Sequence, residues 1–310
     1  MTDWHQQSER GSRWGMALLF WLYRHGGRFV ILPIVYLVVF YFFLTRASTR
    51  RYSRLYLRRT GSSSGWWQVW LHHLSFARAL LDRIAAWMGR LKRTDVDFSG
   101  HQLLLQLQRE KKGAVMLGAH FGNLEMCRAV VENEGALKLN VILHTANTQN
   151  FNRLMDSASD QVQVRLIQVT EVTPATAIEL RQKLDDGEFL ILLADRLPPG
   201  NQQRYFAHSF LGAPAHFPVG PFWLALLLQA PVFFMAGYRT EKGYRAELQP
   251  LYNGAKVARS ERDEKCRTLL TDFVQQLEPL CRRYPLQWFN FYDFWGDDKP
   301  RHATDDNQES

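Results

Sequence analysis

Short apolar runs alternate with helix-compatible segments along the chain from residue 95 onwards. Each run has the length of one strand, whereas the segments between the runs carry apolar residues at helical spacing. The predicted strands are Ala114–Leu117, Asn140–Leu143, Val164–Val169, Phe189–Ala194, Val232–Tyr238 and Tyr244–Leu248. Because parallel strands are joined through helical crossovers, this order predicts an α/β fold with a mostly parallel central sheet flanked by helices.

The predicted helices precede and separate these strands. They are Trp66–Arg90, Gln102–Glu110, Asn123–Glu134, Gln149–Ala158, Pro174–Asp185, Pro221–Gln229 and Ala258–Tyr284. No helix separates the last two strands, because only the turn around Glu241-Lys242-Gly243 lies between them. This short connection predicts a β-hairpin and hence an antiparallel edge on the sheet.

His120 lies just after the first predicted strand, in the sequence GAVMLGAHFGNLE that runs from Gly113 to Glu125. Imidazole titrates near neutral pH, so a histidine at a strand end can remove a proton from a hydroxyl group. Glu125, five residues later, can fix the tautomer of the ring, and Gly122 lets a substrate approach the backbone. The spacing alone is common by chance. The strand before His120 and the predicted helix after it make a catalytic base the favoured interpretation.

A second polar pair, Asp195-Arg196, follows the predicted strand Phe189–Ala194. In parallel sheets ligands bind outside the carboxyl ends of the strands. We therefore expect His120 and Asp195-Arg196 to converge at one edge of the sheet. Two interpretations of Arg196 stay open, namely contact with a phosphate or thioester oxygen of a substrate, and an ion pair with Asp195 or Asp185.

The first 60 residues hold the whole charge excess of the chain. They contain ten arginines and two acidic residues, a net charge of +8, and the formal charge of the entire chain is also +8. The uncharged run Phe29–Leu44 would form a helix of about 24 Å, against a hydrocarbon core of about 30 Å. The basic helical stripe that follows consists of Arg46, Arg50, Arg54 and Arg58. This pattern predicts a membrane-associated helical arm, either crossing the bilayer or lying in one leaflet, with an ordinary buried helix as the alternative.

The arm comprises residues 1–60. The rest of the chain divides into a folded domain at 61–296 and a polar tail at 297–310 that is predicted to be disordered. Gly61–Gly65, with the sequence GSSSG, is expected to be a flexible joint. It matches the G-x-S-x-G pattern, but the hydrophobic strand that a nucleophile elbow requires does not precede it. The aromatic segment Trp288–Trp295 is expected to close either the core or an acyl pocket.

Several common functions lack their motifs in this sequence. No G-x-G-x-x-G follows a strand and no G-x-x-x-x-G-K-[ST] occurs, so neither a dinucleotide nor a P-loop nucleotide is expected. We expect no cofactor and no metal, because no cluster has metal-ligand spacing and the adjacent His72 and His73 point in different directions on a helix. The charge excess on one short arm favours anionic lipid over nucleic acid as its target.

Three blocks resemble those of the lysophospholipid acyltransferase superfamily. GAHFGNLE, with His120 and Glu125, resembles the H-x-x-x-x-[DE] block and is most similar to the branch of lipid A late acyltransferases. LLADRLP, with Asp195-Arg196, resembles the second block, and FLGAPAHFPVGPFWLAL from Phe210 to Leu226 resembles the third, where a Gly/Pro turn leads into a helix. The arm is similar to a subgroup of predicted acyltransferases found with bacterial fatty-acid-like and aryl polyene synthesis genes.

The resemblance implies an acyltransferase that moves a fatty acyl group from a thioester donor, acyl carrier protein or CoA, to a hydroxyl of a lipid or lipid-like acceptor. His120 would act as general base oriented by Glu125, and donors near the start of the next helix would stabilise the oxyanion. The residues implied to contact substrates are Gly122, Asn123, Asp195, Arg196 and His216. The expected location is the cytoplasmic face of the bacterial inner membrane.

One block departs from the superfamily. Its glycerolipid members usually show a phenylalanine-proline-glutamate-glycine block that helps to bind the acceptor phosphate, whereas this chain has Phe217-Pro218-Val219-Gly220. The acceptor is therefore left open. Two other functions also stay open, a non-catalytic membrane-anchored protein that binds lipids or acyl carriers in a biosynthetic complex, and a hydrolase that transfers the acyl group to water.

Overall fold

The computed structural model describes residues 30–87, 95–125, 138–143, 164–168, 173–197 and 204–296. The strands are β1 (Val96–Ser99), β2 (Ala114–Gly118), β3 (Leu139–Leu143), β4 (Val164–Gln168), β5 (Phe189–Leu193), β6 (Tyr205–Phe210), β7 (Ala213–Pro218), β8 (Val232–Thr240) and β9 (Gly243–Tyr252). Seven of them form one sheet in the order β1-β9-β8-β2-β5-β3-β4, in which only the β8–β9 pair is antiparallel. The predicted α/β fold with a mostly parallel sheet is confirmed.

The described helices pack on the two faces of this sheet, and three of them precede its first strand in the chain. They are α1 (Val30–Thr45), α2 (Ala47–Arg59), α3 (Trp66–Trp87), α4 (His101–Arg109), α5 (Pro174–Asp185), α6 (Val219–Leu227) and α7 (Arg262–Arg283), with 3-10 turns at Arg259–Glu261 and Pro285–Gln287. α5 has its predicted bounds because Thr173 caps it, accepting a hydrogen bond from the Thr176 N–H at 3.2 Å, and Pro174 fits the first turn. The predicted helix Gln149–Ala158, most of Asn123–Glu134 and the tail 297–310 lie outside the described residues.

The predicted hairpin near Glu241-Lys242-Gly243 joins β8 to β9 and is confirmed. The expectation that it forms the edge of the sheet is wrong, because β1 pairs in parallel with the other side of β9. The sequence pattern does not predict β1, since this strand has only four residues and two of them are polar.

A second hairpin, β6–β7, lies where the sequence predicts only a Gly/Pro turn before a helix. Its connecting residues, Leu211 and Gly212, have φ angles of 53° and 80°. Two positive φ angles are typical of the turn that best joins hairpin strands, but leucine rarely adopts one. Tertiary contacts stabilise this conformation, since Leu211 is buried and its N–H donates to Oε2 of Glu278 at 2.9 Å. The helix predicted after this turn is present as α6.

α2 shares the core of the domain. Tyr56 and Leu57 on this helix are buried, and the Tyr56 ring lies 5.0 Å from the ring of Trp288. The hydroxyl of Ser53 lies 2.8 Å from Nδ1 of His72 on α3. α2 is therefore packed on both α3 and the carboxyl-terminal segment, and the domain boundary at residue 60 stays a prediction.

α1 meets α2 at a sharp bend and packs on α3, where the buried Phe43 ring has its centroid 5.0 and 5.2 Å from those of Trp66 and Trp70. Among the described helices none is long and apolar enough on its own to cross a membrane, whereas α1 and α2 satisfy length and composition together as a pair bent by 93°. At the bend, Arg50 on α2 donates to the carbonyl oxygens of Phe43 and Leu44. These bonds satisfy acceptors that the end of α1 would otherwise leave without partners.

Candidate active site

His120 and Asp195 each lie two residues beyond the end of adjacent parallel strands. Gly118, the last residue of β2, pairs in register with Leu193, the last residue of β5. Because the strands run in the same direction, the two chains leave the sheet side by side, and the Ala194 N–H donates to the Gly118 carbonyl at 2.9 Å. Asp195 Oδ1 then lies 2.8 Å from Nδ1 of His120. The expected convergence of the two strand ends is confirmed.

The Asp195 carboxylate is fully buried and accepts hydrogen bonds on both oxygens. Oδ1 faces Nδ1 of His120, and Oδ2 accepts from the His120 backbone N–H at 3.0 Å, the Trp288 indole at 3.1 Å and the Asn290 amide at 3.1 Å. Burial raises the pKa of Asp195, but the charge and hydrogen bonds of His120 and the charge of Arg196 outweigh it and lower that pKa below its ordinary value. Asp195 is therefore ionised at neutral pH.

An ionised Asp195 fixes the tautomer of His120. A carboxylate only accepts hydrogen bonds, so Nδ1 of the imidazole carries the hydrogen that points at Asp195. In the neutral ring Nε2 then holds the lone pair. The His120 side chain is 28% exposed, so a substrate can reach it. This arrangement is typical of a general base whose basic atom is Nε2.

The carboxylate that the structure describes at Nδ1 of His120 is that of Asp195. The backbone becomes helical at Glu125, whose N–H donates to the side-chain oxygen of Asn123 at 3.1 Å. Nδ1 has a single hydrogen, which Asp195 accepts. The structure thus adds an orienting carboxylate that the sequence analysis did not assign, and the orienting role of Glu125 stays a prediction. The five-residue spacing is visible in the sequence, whereas the Asp195 contact spans 75 residues and follows only from the register of β2 and β5.

Gly122 is required by the packing of β8. Its φ angle is +61°, and a Cβ atom there would lie 2.1 Å from the carbonyl oxygen of Gly237. The backbone N–H groups of Gly122 and Asn123 donate to the carbonyl oxygens of Gln287 at 2.7 Å and Gly237 at 2.6 Å. The Asn123 amide donates to the carbonyl of Ala79 at 3.4 Å. These groups bond to the protein itself, and substrate or oxyanion contacts by Gly122 and Asn123 stay predictions.

Arg196 holds the segment that contributes to the Asp195 site. Its guanidinium donates to the side-chain oxygen of Asn290 and to the carbonyl of Phe289, both at 2.5 Å. Burial lowers the pKa of Arg196, while the charge of Asp195 opposes that shift. Arginine remains cationic under such conditions. The structure thus gives Arg196 an orienting contact that neither sequence interpretation includes, and a contact with substrate stays a prediction.

The aromatic segment Trp288–Trp295 belongs to both the core and the site. Trp288, Phe294 and Trp295 are buried, which confirms the interpretation that this segment closes the core. The Phe289 N–H donates to the His120 carbonyl at 2.8 Å, so the segment runs directly beside the loop that carries His120. The sequence does not predict Trp288 and Asn290 as site residues. Its only signal is a single asparagine among aromatic residues, a polar group that needs a partner when buried.

His216 lies on β7, opposite Ala207 of β6. Its ring stacks on that of Tyr205, with 4.1 Å between the ring centroids. This described contact lies within the β6–β7 hairpin. The prediction that His216 lines the site stays a prediction.

A cavity of about 370 Å³ opens beside Gly122 and Asn123. Its walls come from α3, the β8–β9 hairpin and the carboxyl-terminal end of α7. The charged residues in its lining are Arg78, Asp82, Arg239, Glu241 and Arg283. These three cations and two acids lie among apolar and aromatic side chains, and Arg239 is 4.0 Å from Asp82.

The sequence model of the bacterial lipid A biosynthesis acyltransferase family matches residues 65–296, well over half of the chain. The matched range contains His120, Asp195, Arg196 and the Trp288–Asn290 segment, and therefore the whole site described above. No curated protein matches the chain. The enzyme is an acyltransferase, and its substrates are an acyl donor and a lipid acceptor. Its sequence places this chain in the bacterial lipid A biosynthesis acyltransferase family.

Proposed function

We propose that this acyltransferase moves a fatty acyl group from a thioester to a hydroxyl group of a lipid or lipid-like acceptor, with Nε2 of His120 as the general base. The observation that carries the proposal is the 2.8 Å contact between Nδ1 of His120 and the buried carboxylate of Asp195. A carboxylate at one ring nitrogen leaves the other nitrogen basic and correctly directed.

In the proposed reaction the acceptor hydroxyl gives its proton to Nε2 while its oxygen attacks the thioester carbonyl carbon. The new C–O bond forms, the C–S bond breaks, and the departing thiolate takes the proton from the imidazolium. Asp195 accepts the Nδ1 hydrogen throughout and stabilises the positive ring between these steps. The contribution of Glu125 is measured separately, by the comparison of its variant with the Asp195 variant below.

We propose an acyl carrier protein thioester or acyl-CoA as the donor. Both carry the acyl group on the thiol of a phosphopantetheine arm, so the reacting atoms are the same. The cationic residues Arg78, Arg239 and Arg283 in the cavity beside Gly122 are suited to a phosphate on the donor or the acceptor.

The test of this proposal is a transfer assay with the purified full-length protein. Each donor is supplied with and without a lipid extract, thiol release is measured, and acylated lipids are identified by mass spectrometry. We expect thiol release that requires the extract and yields an O-acylated product. Thiol release at the same rate without the extract would identify a hydrolase. Binding of a donor, with no thiol released from either donor, would support a non-catalytic binding protein.

We also propose that α1 attaches the enzyme to the cytoplasmic face of the bacterial inner membrane. Leu37, Tyr41 and Phe42 on this helix are 71%, 61% and 47% exposed. Trp66 and Trp67, at the start of α3, are exposed as well. Soluble proteins rarely leave so much contiguous apolar surface in water, and tryptophan favours the interface between water and lipid. Arg51 and Arg58 on α2 are exposed, which supports contact with anionic headgroups.

The substitutions Leu37→Gln and Phe42→Gln, made together, should weaken binding to vesicles of phosphatidylethanolamine and phosphatidylglycerol at least about tenfold. Burial of each apolar side chain contributes about 1.5–3 kcal/mol, and 1.4 kcal/mol corresponds to tenfold. Vesicle sedimentation without detergent measures the effect. Ile178→Gln is the matched control, because Ile178 on α5 is 61% exposed and lies outside the arm. Equal binding by the double variant and the control would remove α1 as the anchor.

A further inference from the structure

We propose that His72 is a positioning residue for acyl transfer, which holds Trp288 so that Asp195 stays aligned with His120. This inference rests on the proposed role of His120 as the base. His72 lies on α3 and is fully buried. No step of the proposed reaction uses it, and it does not touch the reacting atoms.

Both ring nitrogens of His72 have a defined partner. Nε2 lies 3.0 Å from the carbonyl oxygen of Trp288, and Nδ1 lies 2.8 Å from the hydroxyl of Ser53. A carbonyl only accepts hydrogen bonds, so Nε2 carries the hydrogen and Nδ1 accepts from Ser53. Burial, and to a lesser extent the neighbouring His73, lowers the pKa of His72 to about 3. The ring is therefore neutral and held in one tautomer.

Trp288 connects His72 to Asp195 and His120. The same residue whose carbonyl accepts from His72 donates its indole N–H to Oδ2 of Asp195 at 3.1 Å. Oδ1 of that carboxylate lies 2.8 Å from Nδ1 of His120. Hydrogen bonds thus connect Ser53 on α2 to His72, His72 to the Trp288 carbonyl, the Trp288 indole to Asp195, and Asp195 to His120.

The backbone on both sides of Trp288 is bonded to residues His120 and Gly122 of the loop that follows β2. The Gln287 carbonyl accepts from the Gly122 N–H at 2.7 Å, and the Phe289 N–H donates to the His120 carbonyl at 2.8 Å. The carbonyl of Trp288, between these two bonds, points the other way and is held by His72. Loss of that bond would leave a buried acceptor without a partner and allow Trp288 to shift.

Packing alone does not explain a histidine at this position. The ring of His72 lies among aromatic rings, 5.4 Å from Tyr56, 6.2 Å from Phe289 and 4.6 Å from Phe291. Phenylalanine would fill the same space without the cost of burying two polar nitrogens. The functional value of the histidine therefore lies in its two hydrogen bonds.

The test compares His72→Phe with His72→Gln. Phenylalanine keeps the packing and removes the donor, whereas the glutamine amide can still donate to the Trp288 carbonyl. We expect His72→Phe to lower kcat at least about tenfold with KM unchanged, since displacement of a catalytic group by about 1 Å costs up to about a hundredfold. His72→Gln should restore kcat to within about threefold of the parent enzyme.

His73→Phe is the matched control. His73 is the next residue on α3, but its ring nitrogens face the Val69 carbonyl at 2.8 Å and the Thr49 hydroxyl at 3.3 Å rather than Trp288. Melting temperatures of all variants show whether the fold is retained. If His72→Phe fails to fold, Ser53→Ala takes its place, because loss of that hydroxyl releases the tautomer of His72, and a fall in kcat is again expected at unchanged KM.

A normal kcat in His72→Phe, or in Ser53→Ala where that variant replaces it, would overturn the inference. Equal losses of kcat in His72→Phe and His72→Gln would also overturn it, since the hydrogen bond to the Trp288 carbonyl would then make no difference to the rate. A rise in KM at normal kcat would assign His72 to substrate binding instead. Activity that survives in His120→Ala would remove the proposed base itself, an outcome distinct from all of these.

Discussion

Replacement of His120 with alanine should lower kcat for acyl transfer about 1,000-fold, because a general base contributes typically about 10²–10⁴ to the rate. The thioester carbonyl would then face a neutral hydroxyl, which is a weak nucleophile. The fold should survive. Asp195 keeps hydrogen bonds from the backbone N–H of residue 120, from Trp288 and from Asn290. Thiol release in the transfer assay measures kcat, and thermal unfolding checks the fold.

His208→Ala is the matched control for this measurement. His208 on β6 bonds to the hydroxyl of Thr271 at 3.1 Å and contributes nothing to the His120–Asp195 pair. It should retain near-normal kcat. Retention of more than about a tenth of the parent kcat in His120→Ala would be incompatible with general-base catalysis by this ring.

Asp195→Asn should lower kcat by about 10³–10⁴, through the tautomer of His120 rather than through the packing of the site. Three of the hydrogen bonds that Asp195 accepts converge on Oδ2, so the single oxygen of asparagine should occupy that position. The asparagine NH₂ group then faces Nδ1 of His120. Nδ1 must become the acceptor, the hydrogen moves to Nε2, and the basic atom is lost.

The comparison with Glu125→Gln shows which carboxylate orients the ring. We expect Glu125→Gln to lose less kcat than Asp195→Asn, because Nδ1 faces Asp195. KM and the melting temperature, measured for both variants, separate loss of catalysis from loss of substrate binding or of fold. A larger loss in Glu125→Gln would return the orienting role to Glu125 and assign Asp195 to structure.

The sequence predicts the sheet better than it predicts the contacts at its edge. Apolar runs identify β2 and β5, and a parallel sheet brings their ends together, so the meeting of His120 with Asp195 can be anticipated. Which carboxylate bonds to Nδ1 depends on the register of β2 and β5. His120 and Asp195 meet because each lies two residues beyond the end of its strand, and the spacing of residues along the chain does not show this relation. Glu125 was the nearer candidate in sequence, and Asp195 is the one in contact.

Other parts of the site depend on contacts between residues far apart in the chain. Asn290 reaches Asp195 across 95 residues, and Leu211 keeps a positive φ angle because Glu278 bonds to its N–H. Gly122 resembles a residue kept small for a substrate, but the carbonyl of Gly237 occupies the space that a side chain would need. The local sequence pattern does not predict these contacts, because in each of them the second partner belongs to an element much later in the chain.

The packing of α2 into the core changes how shortened forms of this enzyme should be interpreted. A protein that begins at Ala47 loses α1 but keeps the buried Tyr56 and Leu57, of which Tyr56 packs on Trp288. One that begins at Gly61 loses those buried side chains too, and with them the hydroxyl that bonds His72. Inactivity of the shorter form would therefore report a core opened next to the base. The longer form also loses Phe43, which packs on Trp66 and Trp70 of α3, so substitutions of the exposed residues of α1 separate attachment to lipid from catalysis better than either shortened form.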